Sequence, residues 1–280
     1  MDNNILVQNL CKQFEDFSLD NVSFKVPKGR IVGFIGENGA GKSTTINLIL
    51  NELSKDSGQI QVFGIDHTIP TVKENIGVVF DECNFHDVFT AADIEKILKG
   101  VYKTWDSNLF SQYLKKFKIP TKKTISAFSK GMKMKLAIAV ALSHHAKLLI
   151  LDEPTSGLDP FMRDEILDIL YEFTREEDQS VLISSHIVSD LERLCDYIAY
   201  IDQGSLKLYE EKDCLIEQYG ILKCSKEELK EFDEQAVKGV RENPYGVEAL
   251  VDRSKMPKDY ETDMATLEEI IVFLSKGQEE

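Results

Sequence analysis

Residues 36–44, Gly-Glu-Asn-Gly-Ala-Gly-Lys-Ser-Thr, constrain this chain more than any other stretch. Gly36, Gly39 and Gly41 let the backbone turn through conformations that a Cβ would obstruct. A loop built this way aims successive N–H groups inward and makes a concave nest for phosphate oxygens. Lys42 adds a charge that reaches β- and γ-phosphates, and the Ser43 hydroxyl suits Mg²⁺. The flanks agree: Arg30-Ile-Val-Gly-Phe-Ile reads as a buried strand, and Thr44-Thr-Ile-Asn-Leu-Ile-Leu as a helix. That order sets a helix N-terminus against the phosphate. Gly36, Asn38, Gly39, Ala40, Gly41, Lys42, Ser43 and Thr44 are therefore expected to bind a nucleoside triphosphate, with Ser43 on the metal.

At 280 residues there is room for one large domain and a smaller addition. A net charge of −15 argues against a generic nucleic-acid partner, which favours basic surfaces, so no nucleic acid is expected. Cys11, Cys83, Cys195, Cys214 and Cys224 are odd in number, scattered and without a CxxC pair. They read as reduced thiols of a cytosolic protein rather than as disulfides or a zinc site. The opening Met-Asp-Asn-Asn lacks the basic-then-apolar pattern of a signal peptide. Apolar stretches such as 136–142 fall far short of the ~20 residues that cross a bilayer. A role at a membrane would need another polypeptide to supply the span.

Between the loop and residue 200 strands alternate with helices, which favours an α/β fold with a parallel sheet. Residues 5–7 and 19–26 read as strands before the loop, and 58–64, 77–80, 147–151 and 180–184 as strands after it. From about 90 to 119 the pattern turns helical, with Ala92, Ile94, Ile97, Leu98 and Val101 at helix spacing, as an inserted helical subdomain would.

Leu148-Leu-Ile-Leu-Asp-Glu is the second informative stretch. Four apolar residues running into two acids describe a buried strand that carries carboxylates to the sheet edge where ligands bind in α/β folds. Asp152 is suited to hold Mg²⁺ with Ser43, and Glu153 to polarise the water that attacks the γ-phosphate. Taken alone, the same pattern is a strand ending in two solvated acids; the upstream phosphate loop favours the chemical reading.

Residues 36–44, then Ala-Phe-Ser-Lys-Gly-Met at 127–132, residues 148–153, Ser-Gly-Leu-Asp at 156–159, and His186 together resemble the nucleotide-binding domain of ATP-binding cassette transporters, in order and spacing. The resemblance covers about the first two hundred residues and is similar to bacterial exporter-type cassettes. It implies a P-loop NTPase fold over 1–204: a RecA-like parallel or mixed sheet, an antiparallel β subdomain, and a helical subdomain at about 84–135. It also implies that ATP with Mg²⁺ is bound and hydrolysed. Ser129 and Gly131 fall on a signature motif that contacts the γ-phosphate held by a second subunit. His186 falls on a switch histidine that joins Glu153 as catalytic, and Asp159 on a loop communicating between two ATP sites. Phe14 falls where the family often stacks an aromatic ring on adenine; a core aromatic is the other reading. Seen without the family, Ser129 reads as an N-cap exposing free N–H groups.

Two positions depart from the family pattern. The signature reads Phe-Ser-Lys-Gly-Met, which adds Lys130 near phosphate. Asp81 stands where the family has a glutamine that links Mg²⁺ to the membrane subunit; an acid can still ligate the metal through oxygen. His67, His86, His144 and His145 read as structural.

The resemblance implies two cassettes, homodimer or heterodimer, closing head to tail over two Mg-ATP. A transmembrane permease on a separate chain would be driven through residues 81–89 and the helical insertion, with the cassette peripheral on the inner face of the cell membrane. Residues 210–280 are acidic, yet Gly-Val-Glu-Ala-Leu-Val at 246–251 alternates like a strand, and Leu267, Ile270, Ile271 and Leu274 share a helix face. A small folded α+β appendage over 205–280 is expected, for dimer support or regulation. The alternative function is a soluble cassette ATPase acting on ribosomes or DNA.

Overall fold

The computed structural model describes residues 2–233, 235–244, 246–257 and 260–276. The chain opens on a long hairpin, β1 (Asn3–Gln13) and β2 (Ser18–Pro27), which buries Ile5, Val7 and Leu10 from one strand and Val22, Phe24 and Val26 from the other. β1 runs well past the three residues that the sequence pattern picks out. Asn9 takes a left-handed conformation (φ 48°), and the register with β2 shifts between Val7 and Leu10. Such a bulge breaks the two-residue alternation by which a strand is read.

β3 (Ile31–Ile35) is buried along its whole length, as a parallel strand covered on both faces must be. It runs through the phosphate loop into α1 (Lys42–Ile49), after which β4 (Ser57–Val62) and β5 (Ile65–Asp66) return to the free edge of β1. β6 (Ile76–Val79) leads to the helical insertion, α2 (Ala91–Val101), α3 (Ser107–Lys116) and α4 (Lys130–Leu142). Within the span 90–119, read from the sequence as an inserted helical subdomain, Asp106 marks the start of a second helix. Its carboxylate accepts the N–H groups of Asn108 and Leu109, both at 2.9 Å, and so caps a new helix. Ile94 is buried and Leu98 half-buried, whereas Ala92, Ile97 and Val101 are exposed, so only part of the anticipated apolar face of α2 meets the body of the protein.

Alternation resumes with β7 (Leu148–Asp152), α5 (Pro160–Phe173), β8 (Ser180–Ser185), α6 (Val188–Leu194), β9 (Tyr197–Asp202) and β10 (Ser205–Glu211). Ten strands form one sheet in the order β5-β4-β1-β2-β10-β9-β3-β8-β7-β6. The β9, β3, β8, β7 and β6 block is parallel, and the β5–β2 meander is antiparallel and joins it through a single Ser205–Asp20 pairing. The parallel block delivers the ends of β3, β6, β7 and β8, and with them Gly36, Asp81, Glu153 and His186, to one edge of the sheet.

The expected boundary at 204 falls in the turn of the β9–β10 hairpin, where Gln203 and Gly204 have φ of 44° and 77°; the first sheet therefore continues to Glu211. Beyond it come α7 (Lys212–Gln218), β11 (Tyr219–Cys224), α8 (Lys226–Leu229), β12 (Val237–Asn243), β13 (Gly246–Asp252), β14 (Asp263–Met264) and α9 (Leu267–Lys276). The second sheet has the order β12-β13-β11-β14. Leu267, Ile270, Ile271 and Phe273 of α9 are buried in one continuous core with Leu191 and Leu194 of α6, and Leu274 packs at its margin. Each such fully buried side chain contributes roughly 1.5–3 kcal/mol. Among the described residues, no helix is long and apolar enough to cross a membrane.

Candidate active site

The phosphate loop begins where β3 ends. Gly41 caps α1 at φ 112°, and a Cβ there would come within 2.6 Å of Leu19 and 3.0 Å of Phe17. Gly39 is needed for its conformation alone: φ is 86°, and nothing lies within 4 Å of where a Cβ would sit. Gly36, Ala40, Gly41 and Lys42 are buried, Thr44 is half-buried, and Asn38, Gly39 and Ser43 lie at the surface. Lys42 folds back into the loop. Its Nζ donates to the Gly36 carbonyl at 2.7 Å and the Glu37 carbonyl at 3.1 Å, and lies 3.2 Å from Glu153 Oε1.

Asp152 ends β7 with a buried carboxylate. The parallel register pairs it with Ser184 of β8, whose hydroxyl donates to Asp152 Oδ1 at 2.5 Å. The same hydroxyl accepts the Glu153 N–H at 3.0 Å, so one serine fixes both acids. Glu153 has φ 50°, a strained conformation for a side-chain-bearing residue of the kind that recurs at functional sites. Its carboxylate spans the site: Oε1 faces Lys42, and Oε2 accepts from His186 Nδ1 at 2.7 Å. An ionised carboxylate only accepts, so His186 carries its proton on Nδ1 in this pair. Lys42, Glu153 and His186, distant in sequence, thus form one line of contacts.

Ser129, Gly131 and Asp159 gather around the N-termini of α4 and α5. Ser129 caps α4, accepting the Met132 N–H at 3.2 Å, and Asp159 caps α5, accepting the N–H groups of Phe161 and Met162 at 3.1 Å each. Met162 joins the two caps: a Cβ on Gly131 would meet its terminal methyl at 2.4 Å. Phe14 lies on the turn between β1 and β2, partly exposed, 6.2 Å from the Phe17 ring that borders Gly41. Lys12 Nζ sits 5.7 Å from the Phe14 ring centroid.

Asp81 is the acid anticipated as a metal ligand just past the end of β6. Its carboxylate is engaged by Lys130 Nζ at 2.6 Å, so the two residues that depart from the family pattern pair with each other. Of the histidines read as structural, His67 and His144 are buried, and burial pushes both imidazoles toward the neutral form. Ser184 went unnoticed in the sequence. Its only signal is its position in Ser-Ser-His, and the strand register that makes it matter is not written there.

Comparison with known proteins agrees with this geometry. Residues 19–156 match the family described as ABC transporter. The ABC transporter ATP-binding protein YtrB of Bacillus subtilis is 33% identical over 202 residues, covering 72% of this chain and 69% of YtrB. The bacitracin transport ATP-binding protein BcrA of Bacillus licheniformis is 39% identical over 197 residues, covering 68% of this chain and 63% of BcrA. Among solved structures, CbiO1 of Clostridium perfringens, part of the ABC transporter complex CbiONQ, is 25% identical with a TM-score of 0.65, over 76% of this chain and 90% of that one.

Proposed function

Because the chain belongs to the ABC transporter family as an ATP-binding protein, we propose that it hydrolyses Mg-ATP between two head-to-tail cassettes and drives a separate transmembrane permease, in export. The observation that carries this reading is the Lys42–Glu153–His186 line at the sheet edge.

Gly36, Asn38, Gly39, Ala40, Gly41 and Thr44 would cradle the phosphates, and Phe14 would stack on the base. When the β- and γ-phosphates enter, Lys42 gives up Glu153 and the two loop carbonyls for them. Glu153 Oε1 is then free to take a proton from the attacking water, while His186 keeps Oε2 in place. A positioned base of this kind contributes about 10²–10⁴-fold to rate. Asp152 fits a cation: it is a buried carboxylate with a hydroxyl partner and no ion pair among the described residues, and buried charges are paired or bind metals. Asp152 and Ser43 would hold Mg²⁺, which neutralises charge on the phosphates. Asp81, anticipated with them, has its carboxylate held by Lys130 in the free chain.

The other half of the site would come from a second copy, or from a related cassette: Ser129 and Gly131 offer the N-terminus of α4 to the γ-phosphate, and Asp159 lines the path between sites. The contacts of Ser129 and Gly131 to the γ-phosphate exist only in the closed pair, so ATP favours closure and hydrolysis reverses it. A cavity of about 560 Å³ lined by Leu50, Leu53, Val78, Phe80 and Tyr102, and also by the paired Glu52 and Lys73, suits an amphipathic segment of the permease. Val88, Ile97 and Val101 lie exposed on the helical insertion beside Asn84 and Tyr102 in the chain, as a docking face would need. The chain would then sit at the cytoplasmic face of a membrane through its partner.

Glu153→Gln should abolish turnover and leave a dimer that forms only with Mg-ATP, read by sizing chromatography. A protein that stays monomeric at every nucleotide concentration would overturn the reading.

A further inference from the structure

We propose that Lys130 is a further ATP-contacting residue, acting across the dimer, and that Asp81 is its stand-in partner until the second copy's γ-phosphate arrives. The proposal rests on the head-to-tail reading above. Lys130 is the first residue of α4, directly behind the Ser129 cap. A cation there faces the positive end of the helix macrodipole, an unfavourable site. Lys133 adds a second positive charge in the first turn, which contains no acid. Compensation comes from another element. Asp81 holds Lys130 Nζ at 2.6 Å and Asp87 holds Lys133 Nζ at 2.9 Å, both from the segment that follows β6.

Lys130 and Asp81 side chains are each 44% exposed, so their attraction is screened and readily exchanged. A cavity of about 330 Å³ lined by Asp81, Lys130 and Lys133 gives the ammonium room to swing. Lys130 also lies along Gly157: its Nζ is 3.5 Å, and its Cδ 3.9 Å, from where a Cβ of Gly157 would be, on the turn that leads to Asp159. The ammonium thus lies between Asp81 and the turn that leads to Asp159, on the residue that sits between Ser129 and Gly131 in the chain. A γ-phosphate arriving there carries more charge than one carboxylate and accepts more hydrogen bonds. Lys130 then leaves Asp81 for phosphate. Asp81, next to Phe80 of the proposed permease cavity, loses its tether at the moment of closure.

The test compares three additions to the Glu153→Gln protein: Lys130→Gln, Asp81→Asn, and both together. ATP-dependent dimerisation is followed by analytical ultracentrifugation across a Mg-ATP titration, with monomer nucleotide affinity measured separately using a fluorescent ATP analogue. Lys130→Gln should raise the ATP needed for dimerisation by about tenfold, as loss of a charged hydrogen bond would. Asp81→Asn should lower it by about two- to fivefold, because a weak competing ion pair is gone. The double variant should match Lys130→Gln, and monomer affinity should not move. If both single variants weaken dimerisation, or if Lys130→Gln changes nothing, the exchange is refuted and the pair is a strap. A Glu153→Gln protein that never dimerises with ATP would instead refute the head-to-tail reading itself.

Discussion

Ser184→Ala removes one hydroxyl from the floor of the site. That hydroxyl donates to Asp152 Oδ1 at 2.5 Å and accepts the Glu153 N–H at 3.0 Å. The Glu153 N–H keeps a second acceptor, the Ser184 carbonyl at 3.2 Å, so the loss falls mainly on Asp152. A hydrogen bond to a charged group is worth about 1.5–3 kcal/mol. Asp152 is 9% exposed, which lets water replace part of the bond, so a loss of about 1.5–2 kcal/mol in folding stability is expected. The second effect is on the metal: support of a ligating carboxylate is typically worth about 10–100-fold in metal affinity. Urea denaturation should show a lower midpoint with unchanged slope. ATPase rates titrated with Mg²⁺ should show a half-saturation raised by about 10–100-fold, with activity recovered at high Mg²⁺. An alanine protein with both the denaturation midpoint and the Mg²⁺ half-saturation of wild type would refute the reasoning, since strand geometry alone would then hold Asp152.

Two further outcomes follow from the packing. His144 is buried between the carbonyls of Val140 and Ile76 and stacked on Tyr102 at 4.2 Å, and burial lowers its pKa. Its unfolded form binds a proton that the folded form resists, so stability should fall as pH drops below about 6.5, by at most about 1.4 kcal/mol per unit, and His144→Gln should flatten that part of the profile. Leu267→Ala should cost about 2–5 kcal/mol in global denaturation and lower the unfolding midpoint of the whole chain, because Leu267 shares a core with Leu191 and Leu194; a separate early transition would show that the C-terminal unit unfolds alone.

The phosphate loop was legible because its chemistry is local: the glycines, Lys42 and Ser43 are neighbours in the chain. Asp152 and Glu153 were legible for a related reason, since an apolar strand ending in acids points to a sheet edge. Pairings across the sheet were not. The bond from Ser184 to Asp152 depends on the parallel register of β7 and β8, and the Asp81–Lys130 pair joins residues 49 apart. Helix spacing marked Ile97 and Val101 as apolar, yet it cannot say whether a face meets its own chain or another. The continuation of the first sheet to Glu211 was not legible either, because it rests on the pairing of β10 with β9 rather than on local residue type.

The contact between Glu153 and Lys42 gives the phosphate loop a counter-ion from its own chain. Any anion that reaches Lys42 has to displace a carboxylate held also by His186. A phosphoryl group entering the loop therefore takes over a cation already matched within the chain, and the carboxylate it displaces is the one proposed to activate water.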